Sequence, residues 1–225
     1  MKRLFLLFGT LALGTVVASA SSVTLTFTGL GDEEAIDNYY NGGFGGSGSG
    51  PGPNYGVVFG SDSLALISNQ DGGGGDFSNV PPPATDTVAF FLMSGAGDVM
   101  DVAAGFDTGF SFYYAAAFDP GTVSVYSGLD GTGTLLATLD LAVNGSGCDG
   151  TGDDWDCWTE QGVAFGGSAE SVIFSGTANQ IAFADITLGA SSVPPPTTPE
   201  PGSLVLLGSS LIGAAGMMLR RRRIV

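Results

Sequence analysis

The chain has 225 residues, with 22 Asp and Glu against six Lys and Arg, no His, and a formal net charge of −16. All six basic residues lie at the ends, Lys2 and Arg3 at one and Arg220 to Arg223 at the other, so residues 21–198 hold 21 acids and no cation. Nucleic acid is excluded as a partner, because phosphate neutralisation needs Lys or Arg. Lack of His and Lys from the middle removes Ser-His-Asp and Cys-His catalysis, His-ligated zinc and Schiff-base chemistry.

In chain order, Lys2 and Arg3 precede an apolar run over 4–17 and an A-x-A site at Ala18–Ala20. This pattern predicts a signal peptide, 1–20, cleaved after Ala20. The rest of the exported part is predicted to be all-β, with a domain over 21–190 and a Pro-rich spacer over 191–198. Strict apolar–polar alternation marks 23–27 and 122–126 as strands, and 110–114 more loosely. Further segments are 55–59, 64–68, 87–93, 99–103, 134–143, 162–165, 171–175 and 180–188, separated by Gly- and Asp-rich turns. About ten short strands with no long 3.6-residue period predict an antiparallel β-sandwich of jelly-roll type. Residues 42–53, nearly all Gly, Ser and Pro, read as a mobile loop.

Twenty-one carboxylates on such a domain lie about 19 Å apart on average, beyond a Debye length of about 8 Å, so the mean repulsion is tolerable. Two clusters are denser: Asp32, Glu33, Glu34 and Asp37 after the first strand, and Asp149, Asp153, Asp154, Asp156 and Glu160 in one loop. Crowded carboxylates either take up protons or share a hard cation, and calcium accepts six to eight oxygens in flexible geometry. Glu33 and Asp185, with Glu34 and Asn38 behind them, are the expected ligands of a structural calcium if first and last strands lie close. Solvated loop acids are the alternative, and neither cluster has EF-hand spacing. Anionic polysaccharide would be repelled unless divalent ions bridge it.

Cys148 and Cys157 are an even pair in an exported chain, which predicts a disulfide closing a short acidic loop. Trp155 and Trp158 beside it, with Tyr39 and Tyr40 at a turn, are candidate glycan-stacking contacts, core packing being the other reading.

After the spacer come Pro199, Glu200 and Pro201, then an apolar stretch over 202–219 and four arginines. As a helix, 18 residues reach about 27 Å, just spanning a hydrocarbon core of about 30 Å. Arg220, Arg221, Arg222 and Arg223 act as a membrane stop on the cytoplasmic side. Pro-Glu-Pro, apolar helix and terminal Arg cluster together resemble the PEP-CTERM sorting signal. That resemblance implies recognition and processing by a membrane-embedded exosortase in a Gram-negative bacterium that makes exopolysaccharide. It also implies Pro199, Glu200 and Pro201 as the recognition motif, with Thr198 where the family often has Val.

The middle is similar to a secreted group carrying the same signal, through FTGLGD at 27–32, NYYNGG at 38–43, GPNYGVVF at 52–59, AGFDTGFSF at 104–112, VYSG at 125–128 and IAFADITLG at 181–189. No activity comes with that likeness. The closing Phe-x-Asp-Ile-Thr-Leu is similar to the last strand of carbohydrate-binding jelly rolls, where an Asp often helps to hold calcium.

The leading expectation is a non-catalytic exported surface or matrix protein. It is anchored in the inner membrane as a precursor, sorted by exosortase, and placed near exopolysaccharide. The alternative is an extracellular carbohydrate-binding module. A third reading is a carboxylate-pair glycosidase drawing on Glu33, Glu34, Glu160 or Glu170.

Overall fold

The computed structural model describes residues 22–84, 86–92 and 98–194. The expected signal peptide, the sorting motif at 199–201, the helix over 202–219 and the Arg cluster lie outside these residues.

Twelve strands are described: β1 Val23–Leu25, β2 Glu34–Ala35, β3 Val57–Phe59, β4 Ser63–Ile67, β5 Thr87–Phe91, β6 Asp98–Phe106, β7 Gly109–Ala115, β8 Gly121–Tyr126, β9 Leu135–Leu141, β10 Thr159–Ala164, β11 Ala169–Gly176 and β12 Ala182–Leu188. Each expected segment overlaps a strand; the two-residue β2 is the addition. One sheet runs β10-β7-β12-β5-β4-β2 with β1 against β12, and the other runs β3-β6-β11-β8-β9. All the pairs are antiparallel, giving an all-β sandwich. Among the described residues no helix is long and apolar enough to cross a membrane.

Alternation explains the inner layer. On β7, Phe110, Phe112 and Tyr114 point into the sandwich, where they meet Phe174 of β11 and Phe183 of β12. These rings pack mostly edge-to-face or tilted: Phe174–Phe183 at 4.9 Å, Phe110–Phe112 at 5.5 Å and Phe112–Phe183 at 5.6 Å.

The seven-stranded sheet is also covered on its outer side. Both β5 and β12 are buried at every position. Alternate residues Val88, Ala115, Ala182 and Ala184 join Phe77 and Ala84 in a second, smaller cluster under the loops at 68–84 and 142–158. Three alanines on adjoining strands leave room for those loops to press close. At the far end of the sheet, residues after β12 cross β7 and β10. A Cβ at Gly162 would sit 2.1 Å from the Ser191 carbonyl oxygen, so a side chain there is barred by backbone. The exit is fastened where the Val193 N–H donates to Glu160 Oε1 at 2.8 Å.

At Asp185, β12 changes neighbour. Phe183 pairs with Ala89 of β5, whereas Ile186 pairs with Leu25 of β1. Register against β7 shifts between Ala184 and Thr187, and Asp185 sits at φ 52° in the left-handed region that Asp tolerates better than most residues. Its carboxylate turns inward, where Oδ1 accepts the Ala84 N–H at 2.9 Å and Oδ2 has no partner. Burial pushes this group up to about 7, opposed by that single bond. Burial also lifts Asp98 to about 7, against the Val99 N–H and aided by the charge of Asp62.

Native protein therefore holds these two protons up to about pH 7, whereas the unfolded chain releases them near its ordinary value of 3.8. The native state binds more protons across that interval, so stability falls as pH rises through it, by about 4 kcal/mol per group. Asp185→Asn keeps the acceptor for Ala84 and suits the backbone, but cannot ionise. Thermal melts should show it more stable than wild type by about 2–4 kcal/mol at pH 8, with the gap closing as pH falls to about 4. A loss of stability at pH 8 would contradict this assignment.

Candidate ligand-binding cleft

The outer face of the seven-stranded sheet carries a cleft of about 470 Å³, within the usual range of about 300–1,000 Å³ for ligand sites. Its floor is Leu64 and Leu66 from β4, Phe90 from β5 and Ala182 from β12. These are the strand positions that alternate with core-facing Ala65, Ala89 and Phe183. Phe77 and Trp155 form one wall, Leu92 and Ile181 another, and Glu33, Asp76 and Asn179 bring polar groups to it.

Two loops joined to each other make the aromatic wall. The Trp155 N–H donates to the Asp76 carbonyl at 3.2 Å, and Phe77 and Trp155 form an isolated parallel bridge. Trp155 is half-buried and fixed in orientation: its Nε1–H donates to the Gln180 carbonyl at 3.0 Å, and the Phe118 ring stands perpendicular at 5.6 Å. Trp158 faces elsewhere, its Nε1–H donating to Ser78 O at 2.8 Å beside Phe77.

With no cation available, loop carboxylates are satisfied by dipoles. Asp153 accepts from Asn69 Nδ2 at 3.0 Å and Gln70 Nε2 at 2.8 Å, which holds it below the usual range and ties the loops together. Hydroxyls of Ser78 and Thr151 and the Thr151 N–H hold Asp149 down at about 2. Asp156 is wholly buried and accepts from Gly147 N at 2.7 Å and Asp149 N at 2.9 Å.

Cys148 and Cys157 are joined in a disulfide around this loop. Closing a loop of nine-residue separation stabilises by about 2.5 kcal/mol in the chain-entropy model. Cys148→Ser/Cys157→Ser should lower the melting temperature by about 5–10 °C. A double variant melting as wild type would show that the loop is held by its carboxylate bonds alone.

The four residues expected to ligate calcium are not gathered into one site. Glu34 is almost fully buried in its own backbone cradle, accepting from Gly31 N at 2.6 Å, Ser47 N at 2.8 Å and Ser49 N at 3.0 Å. Burial alone would raise its pKa, but these bonds and the Ser49 hydroxyl bring it down to about 2. Asp185 is occupied by Ala84, Glu33 turns outward to the cleft, and Asn38 is exposed. β1 does pair with β12, yet the chain leaves that pairing at Phe27, whose φ is 61°. Among the described residues, the one group of converging acid or Cys ligand atoms is Cys148, Asp156 and Cys157. Its sulfurs are spent in the disulfide and offer no thiolate to a metal.

Tyr39 and Tyr40, candidates for glycan stacking, lie in the core at 8% and 3% exposure. Tyr39 Oη donates to the Thr28 carbonyl at 3.1 Å, and Tyr40 Oη accepts the Phe27 N–H. Residues 42–53, read as mobile, are a compact loop instead, with Gly45 N bonding Ser49 O at 2.9 Å and Gly46 N bonding Ala35 O at 2.8 Å. Of the stacking candidates, Trp155 alone lines the cleft. Asp76 and the apolar floor were not anticipated. The signal was there: β4 and β5 are apolar on both alternate faces, so their outer face had to be covered or used.

Residues 197–223 match the family model of the PEP-CTERM protein-sorting motif. The chain carries a PEP-CTERM sorting motif at its C-terminus. No curated protein matches the chain. Among solved structures it is similar to a carbohydrate-binding module of Cellvibrio mixtus lichenase 5A in complex with cellotriose, at 14% identity and TM-score 0.36 over 58% of this chain and 88% of that one. It is also similar to a β-1,3-glucan-binding CBM6 from Bacillus halodurans, at 16% identity and TM-score 0.36 over 57% of this chain and 87% of that one. Likeness at this level carries nothing about ligand or activity.

Proposed function

We propose that this is a non-catalytic exported protein, sorted and processed by an exosortase through Pro199, Glu200 and Pro201. The PEP-CTERM match at 197–223 carries this reading. The signal peptide over 1–20 directs export, and the helix over 202–219 holds the precursor in the inner membrane with Arg220 to Arg223 inside. The mature jelly-roll domain is delivered to the surface or extracellular matrix of a Gram-negative bacterium. Lack of His and Lys from 21–198 supports a non-catalytic role, and of Glu33, Glu34, Glu160 and Glu170 only Glu33 lines the cleft. In a host with exosortase, Glu200→Ala should leave the protein unprocessed in the membrane fraction. Unchanged maturation and location would sink the sorting claim.

The cleft favours a second reading, in which the domain binds carbohydrate. Its apolar floor, the fixed indole of Trp155 and the exposed amide of Asn179 form one apolar surface with polar groups at its edge. Binding to polysaccharide that is weakened by Trp155→Ala supports this. Release of shortened oligomers during the assay would turn the reading to a carboxylate-pair glycosidase.

A further inference from the structure

Resting on the carbohydrate-binding reading, we infer that the cleft takes a glycan with free amino groups, its ammonium held by Asp76 and Glu33 and a sugar face laid on Trp155. Every titratable group lining the cleft is an acid, and residues 21–198 contain no cation to neutralise it. The neighbouring carboxylates are already engaged: Asp32 accepts from Ile67 N at 2.8 Å and Gly74 N at 2.9 Å, and Asp153 from Asn69 and Gln70. Glu33 and Asp76 are exposed and turned to the cleft.

Desolvation, the hydrogen bond shared with the Asp153 carboxyl and the charges of Asp153 and Asp154 push the Asp76 carboxyl up against the single N–H of Asp154, so its ionised form sits among like charges with no cation to offset them. An ammonium brings three N–H donors and a positive charge to such a position. A neutral sugar would cover two carboxylates without compensating their charge, and a uronate would add a third negative group. The apolar floor selects against a small hydrated cation, which gains nothing from Leu64, Leu66 and Phe90. An amino sugar presents both a C–H face for the indole and a cation for the acids.

Isothermal titration of the full-length protein in detergent micelles tests this with β-1,4-linked glucosamine oligomers, their N-acetylated counterparts and galacturonate oligomers. At about pH 6 the amines are charged. Free-amine oligomers should bind at least about tenfold tighter than acetylated ones, galacturonate should not bind, and added salt should weaken the complex.

A polycation is drawn to any chain of charge −16, so variants must separate cleft from surface. Trp155→Ala, which leaves charge unchanged, should weaken binding about tenfold. Leu92→Lys, at a half-exposed wall position, places a competing ammonium in the cleft without disturbing the core and should weaken it similarly. Asp76→Asn should weaken it about fivefold, while Asp107→Asn on the β6–β7 turn, with the same change in net charge, leaves it unaltered. Equal binding of acetylated and free-amine oligomers overturns the ammonium inference and leaves the carbohydrate reading standing. Binding of neither overturns both. Equal weakening by Asp76→Asn and Asp107→Asn reduces the effect to diffuse attraction and overturns the inference.

Discussion

Phe183→Ala is expected to cost about 4 kcal/mol of folding stability, from lost burial and the cavity left behind. For a domain of this size that is a fall of about 12 °C in melting temperature. Phe183 is 2% exposed, and its ring lies 4.9 Å from Phe174, 5.6 Å from Phe112 and 6.3 Å from Phe91. Those partners come from β11, β7 and β5, so one ring joins the two sheets. Phe44→Ala serves as contrast, since Phe44 is 55% exposed and should change stability by about 0.5 kcal/mol or less. Urea melts of both variants check the difference. A loss under about 1 kcal/mol at Phe183 would mean the sheets are not closed on a common aromatic core.

Glu34→Ala should cost about 3–4 kcal/mol, because three backbone N–H groups lose their acceptor together. Ser47 and Ser49 are two of those donors, so the loop over 42–53 should open with it. The fit is close: a Cβ at Gly45 would sit 2.6 Å from Glu34 Oε1. Limited proteolysis should therefore cut the variant within 42–53 and leave wild type intact there. Glu34→Gln keeps one acceptor oxygen and should fall between the two. The pH dependence follows from the depressed pKa of about 2 against an ordinary 4.5. The folded state favours the ionised form, so this contribution is complete above about pH 4.5 and is lost as pH falls toward 2. Asp98 and Asp185 act with the opposite sign from about pH 4 upward, which places maximum stability near pH 4. Equal acid sensitivity of wild type and Glu34→Ala would contradict the role given to this carboxylate.

Strand positions were legible because alternation needs only local sequence: Phe110, Phe112 and Tyr114 face one way on β7 whatever the rest does. The loops were harder. Residues 42–53 read as mobile from composition, yet Glu34 at a distance in sequence supplies the acceptor that orders them. The same carboxylate was read as a calcium ligand because charge counting sees no cation, and backbone N–H dipoles do not appear in a count. Asp37 at φ 45° turns the chain so that Tyr39 and Tyr40 enter the core rather than flank an exposed turn. The cleft depends on loops at 68–80 and 147–158 meeting through Asp153, Ser78 and Trp155, a pairing that no local pattern encodes. What the sequence did carry was its trace, the two-sided apolar character of β4 and β5.

The most direct measurement is the intact mass of protein recovered outside the cell from a host with exosortase. Removal of residues 1–20 and of the segment holding Arg220 to Arg223 would leave a product without a single basic side chain, which is the mass expected here. An exported product that still carries the four arginines would contradict sorting by C-terminal processing.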